Sequence, residues 1–158
     1  MGQRNFKHRH HIFQLITQYE RLSEKRAVHF ANEVPYVQLI DYFEGECLLE
    51  RALEVAGHAI HQFPYSVEFQ VRKAELLLEN REPKEALTIL DKAEVLSPGI
   101  LPIALRRAEG IASLGLAEEA IDLLDELKAG AEPADLSSIL GCEALIYEHL
   151  KEFEQMFY

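Results

Sequence analysis

The chain has no tryptophan, only two cysteines and two methionines, and eight glycines and six prolines among 158 residues. With so few glycines there is no phosphate-cradling loop. Neither a Gly-x-Gly-x-x-Gly after a strand nor a Gly-x-Ser-x-Gly nucleophile elbow occurs. No apolar run approaches the roughly 18 residues of a membrane helix, and the opening residues lack the apolar core of a signal peptide. A cytoplasmic protein with no membrane partner is therefore expected. Apart from a polar start there is no low-complexity tract, and 48% of residues are hydrophobic, enough to bury a core.

What the chain does have is periodicity. Ala74, Ala86, Ala93 and Pro98 follow one another at gaps of twelve, seven and five residues, and Ala108 and Ala120 repeat the opening of that pattern thirty-four residues on. Residues 67–100 are one whole period and residues 101–134 the next, which is the signature of a helical repeat array. Within the first, Val71, Ala74, Leu77 and Leu78 recur at three and four residues, and so do Ala86, Leu87, Leu90 and Ala93. Two amphipathic helices, 67–80 and 83–96, are predicted. Asn80 is expected to take the left-handed position ending the first, and Pro83 suits the first turn of the second. Alanines at the crossings let helix backbones approach closely, and leucine there would overpack by roughly 1–3 kcal/mol.

Upstream, Ala52, Ala59 and Pro64 precede Ala86, Ala93 and Pro98 by one period each, so residues 33–66 read as a third copy. Ile40 takes its small position, and Gly45 interrupts the helix before residues 47–62. Downstream, Ala144, Leu145, Tyr147, Leu150 and Phe153 suggest the first helix and turn of a fourth copy over 135–158, shifted two residues by the loop 130–133. The apolar end Phe153, Met156, Phe157 and Tyr158 then opens a helix with no room to finish, so either the array continues or this face pairs with another copy. Residues 1–30 read as a basic arm followed by a capping helix near 11–26, with Ile12, Leu15, Ile16, Tyr19 and Leu22 on one face. Ala52, Ala59, Ala74, Ala86, Ala93, Ala108, Ala120 and Ala144 are the expected repeat-packing residues. Cys47 and Cys142, in copies separated by two whole repeats, are expected to be free, small packing residues beyond disulfide reach.

The order small, aromatic or leucine, small, leucine, small, proline at this spacing resembles the tetratricopeptide (TPR) repeat, and is similar in flavour to bacterial TPR-containing proteins. The resemblance covers residues 34–158 and is strongest over 67–134. Arg81 departs from it where glycine usually makes the turn, as Gly115 does in the next copy, and Leu127 replaces the last alanine. It implies an all-α, right-handed α-α superhelix whose first helices line a concave surface that binds a peptide or protein segment. Carried over by position, that surface comprises Val37, Asp41, Val71, Glu75, Leu78, Glu79, Leu105, Glu109, Leu145 and Glu148, with Ala112 beside them. Family members that clamp chaperone tails use lysines and asparagines here. Asp41, Glu75 and Glu109 stand where asparagine is expected, which disfavours an acidic tail.

Charge narrows the partner. Residues 1–29 hold six basic and two acidic residues, a net of +4, and the whole chain is at -11, leaving -15 for residues 30–158. An acidic array repels nucleic-acid phosphates and anionic membranes and favours a basic or amphipathic peptide or protein. No cofactor and no catalytic or metal site are expected. Glu118, Glu119, Asp122, Asp125 and Glu126 read as a solvated helix face rather than paired catalytic carboxylates. An alternative makes the chain a metal-binding accessory through Lys7-His8-Arg9-His10-His11, but Lys7 and Arg9 would repel a divalent cation and no His-Glu-x-x-His pattern accompanies them. The remaining pair, His58 and His61, suits helix-end duty. Self-assembly through the C-terminal face is a third reading, and the scaffold reading is non-enzymatic.

Overall fold

The computed structural model describes the backbone of residues 2–157 and the side chains of residue 3 and residues 5–157. Tyr158 and the Arg4 side chain lie outside the described residues. Eight helices follow in chain order: α1 (Gly2–Glu24), α2 (Val34–Gly45), α3 (Leu49–Gln62), α4 (Val67–Glu79), α5 (Pro83–Leu96), α6 (Leu101–Ser113), α7 (Ala117–Gly130) and α8 (Pro133–Phe157). There is no strand among the described residues, and none of these helices is long and apolar enough to cross a membrane. The chain forms two compact units, residues 1–69 and 70–158.

The repeat is written into the backbone. Cys47, Arg81 and Gly115, thirty-four residues apart, have φ of 58°, 61° and 86°, the left-handed conformation that ends a helix. Each closes the same pair of hydrogen bonds. Leu48, Glu82 and Leu116 donate their N–H to the carbonyls of Phe43, Leu77 and Ile111, while Cys47, Arg81 and Gly115 donate to Glu44, Leu78 and Ala112. This is the Schellman arrangement, which satisfies two carbonyls that a helix end otherwise leaves open. Thus Arg81, not Asn80, holds the left-handed position. An L side chain there costs about 1–2 kcal/mol, which glycine avoids at a smaller entropic cost. We expect Arg81→Gly to raise the unfolding free energy by about 0.5–1 kcal/mol and Gly115→Ala to lower it by about 1 kcal/mol, read by urea titration. A loss of stability in Arg81→Gly would mean that the arginine side chain contributes more than its backbone strain removes.

In the first unit α1 packs on α2, and α2 pairs with α3. Ile12, Leu15 and Tyr19 form the buried stripe of α1, and Arg51 and Glu20 join α3 to α1 at 3.0 Å. His58 meets the ring of Tyr19 edge-on, while His61 lies exposed in the last turn of α3. A four-ring cluster closes the unit, with Tyr36 edge-on to Phe30, Phe63 and Phe69. Gln62 completes it. Its side-chain oxygen accepts from the Tyr36 hydroxyl and from the Phe30 N–H, and its amide donates to the Phe30 carbonyl. The basic start is not an arm, because helix α1 begins at Gly2 and includes the histidine cluster.

In the second unit Ala74, Ala86, Ala93, Ala108 and Ala120 are fully buried, as are Ala52 and Ala59 in the first. Gly110 marks the closest approach: a Cβ there would sit 3.0 Å from Leu87 Cδ2. The last copy departs from the reading above. Ala144 is exposed, and the buried stripe of α8 is instead Ile139, Cys142 and Ile146. Cys142 stands one period after Ala108, so the register is unshifted. The helix simply begins two residues early, at Pro133. Nor does a turn follow, because His149 occupies the position of Gly115 and α8 runs unbroken to Phe157.

Candidate functional site

Each hairpin's first helix in the second unit, together with α8, contributes to one groove of about 390 Å³. Helix α4 supplies Glu75, Leu78 and Glu79, and α6 supplies Arg106, Glu109, Ala112 and Ser113. Helix α8 adds Leu145, Ile146 and His149. Leu78, Ala112 and Ile146 are successive occupants of one repeat position, so the thirty-four-residue period brings them to the same floor. Counting glutamate and arginine alone, three carboxylates against one guanidinium leave the lining two charges negative.

Arg106 organises the acidic side. Its Nη1 lies 2.5 Å from Glu109 Oε1, and its Nε lies 3.2 Å from Glu75 Oε1. The second contact is off the N–H direction, so it attracts by charge without a hydrogen bond. Burial works against the charge on Arg106, but Glu109, by charge and hydrogen bond, and Glu75 outweigh it and hold its pKa above the ordinary arginine value. The guanidinium is a fixed cation tying α4 to α6. Behind the groove, Cys142 Sγ points at the Leu105 carbonyl at 3.7 Å. Burial first, then the charge of Glu109, pushes its thiol up to about 11, against the lowering effect of Arg106. On α7, Lys128 Nζ reaches Glu143 Oε2 of α8 at 2.6 Å, and that hydrogen bond raises its pKa.

Of the residues expected on the binding surface, the groove gathers Glu75, Leu78, Glu79, Glu109, Ala112 and Leu145. Leu105 is a correction: at 7% exposure it belongs to the core with Ala108, Leu124 and Ile139. Leu145 and Ile146 start a face that continues to His149 one turn on, which leaves Glu148 exposed outside the lining. Val71 is half-buried on α4 outside that lining, and Val37 and Asp41 are exposed on α2 of the first unit. Sequence reasoning missed Arg106 and His149 as lining residues. Arg106 follows Leu105 directly, and its position beside two acidic repeat residues was the available signal.

Elsewhere the chemistry is sparse. Glu118, Glu119, Asp122, Asp125 and Glu126 are exposed along α7. Among the described residues no group of three or more His, Cys, Asp or Glu side chains is placed to hold a metal ion. In the histidine cluster, His10 Nε2 contacts Gln14 Nε2 at 3.1 Å and His11 Nε2 lies 3.4 Å from Gln38 Oε1. The two cysteines are free, Cys47 exposed and Cys142 buried. No family model, no curated protein and no solved structure matches the chain.

Proposed function

We propose that the chain is a non-enzymatic interaction scaffold of the TPR type, working in the cytoplasm, whose hairpins stack as a right-handed superhelix and whose second unit binds a peptide in the α4–α6–α8 groove. The observation that carries this reading is the meeting of Leu78, Ala112 and Ile146 on one floor at one-period intervals. A repeat array uses such equivalence to build an extended surface from identical positions. The floor is apolar and the wall acidic, so the fitting ligand is an amphipathic or extended peptide with apolar anchors beside lysine or arginine. Anchors supply most of the affinity and charges the selectivity. Metal binding through the histidine cluster has no ligand set among the described residues to rest on.

Selection from a random peptide library tests it. Peptides enriched on the wild-type protein should carry Lys or Arg next to Leu, Phe or Met. Glu79→Lys with Leu145→Lys changes two exposed groove residues. It should keep the helical circular dichroism and weaken these peptides by about tenfold or more. Equal binding by the folded double variant, or a selection without that enrichment, would refute the groove.

A further inference from the structure

Two surfaces that the groove does not use complement each other. The first is the outer face of α1. Phe6 and Phe13 are 75% and 57% exposed, two helical turns apart, on the side opposite the buried stripe of Ile12, Leu15 and Tyr19. Lys7 and Arg9 flank them, and every side chain from Asn5 to His11 is exposed. This helix is apolar on two sides and basic between.

The second surface is a groove of about 680 Å³ between the start of α7 and the distal half of α8. Leu116, Ile121, Tyr147 and Leu150 give it an apolar lining. Glu118, Glu119, Asp122 and Glu154 line it with acid and contribute no cation to balance it. None of its lining residues belongs to the peptide groove. A basic amphipathic helix is the shape and charge it accommodates.

We infer that the α7–α8 groove takes helix α1 of a second copy, with Phe6 and Phe13 on the apolar lining and Lys7 and Arg9 against the carboxylates. Charge complementarity argues for this occupant. Residues 1–29 carry +4 and residues 30–158 carry -15, so copies attract head to tail although the whole chain stands at -11. At physiological salt, repulsion between distant parts is screened beyond roughly 8 Å, whereas charges in contact keep their preference. The two faces differ, so a reciprocal exchange of α1 between two copies closes as a two-fold dimer, and a one-way contact propagates as a ring or an open chain.

Sedimentation velocity across a concentration series of the full chain tests this directly. The wild-type protein should gain mass with concentration. Lys7→Glu with Arg9→Glu should sediment as a monomer, and so should Glu118→Lys with Asp122→Lys; all four positions are exposed, so folding is preserved and circular dichroism checks it. Combining the four substitutions reverses both faces and should restore association. A wild-type monomer, unchanged association in either reversed pair, or no recovery in the combined variant would overturn the inference.

Discussion

Replacing Tyr36 by alanine is expected to destabilise the first unit by about 3–5 kcal/mol, the usual cost of deleting a fully buried aromatic ring. Tyr36 is wholly inaccessible and meets three other rings edge-on, Phe30 at 5.0 Å, Phe69 at 6.0 Å and Phe63 at 6.1 Å between centroids. Edge-to-face contacts add to area burial, so truncation removes both terms and leaves a cavity that rigid helices close only in part. Tyr36→Phe separates the contributions. It keeps the ring packing and removes one donor to Gln62 Oε1, which still accepts from the Phe30 N–H. Its expected cost is about 0.5–1.5 kcal/mol. Urea unfolding read by circular dichroism distinguishes the two, and equal losses in both variants would show that the hydroxyl, not the ring, holds this cluster.

The second large effect is alkaline. Burial of Cys142 lifts its thiol pKa from 9.0 to about 11 in the folded state. An acid whose folded pKa is raised stabilises the fold while both states hold the proton, and loses that contribution as pH rises from the unfolded value to the folded one. Stability should therefore fall between pH 9.0 and about 11, by on the order of 2–3 kcal/mol. Tyr19 and Tyr36, both raised chiefly by burial, push in the same direction at still higher pH. Cys142→Ala isolates the thiol, because the tyrosines remain. The variant's stability should decline less steeply across this window, and an identical slope would remove Cys142 as its source. The same burial predicts that a thiol reagent at neutral pH modifies the exposed Cys47 quickly and Cys142 only after unfolding.

Much of the helix pattern was legible because small residues and turns recur at a fixed interval. The alanines at 52, 59, 74, 86, 93, 108 and 120 are all fully buried, and Pro83 does open α5. The reading slipped where a different residue type performs the same task. Ala144 drew attention as the small residue of the last copy, yet a thiol is also small and apolar, and Cys142 fills the contact at the unshifted position. Leu105 followed the pattern of a groove residue, but its place opposite α8 makes it core. The candidate groove was partly readable for the same reason: repeat-equivalent positions on α4 and α6 were named, while Arg106 enters by reaching sideways to Glu75 and Glu109. A reach of that kind depends on how two helices pack, which periodicity does not encode.

From the sequence alone came helix content, the thirty-four-residue period, the alanine contacts and the segregation of charge, because each is a local or repeated property of the chain. Tertiary structure decided which residues share the groove floor, that α8 continues as one helix, and that Tyr36 and Gln62 anchor the first unit. Those outcomes depend on side chains distant in sequence competing for the same space, and the arrangement that leaves fewest voids and fewest unpaired polar groups prevails.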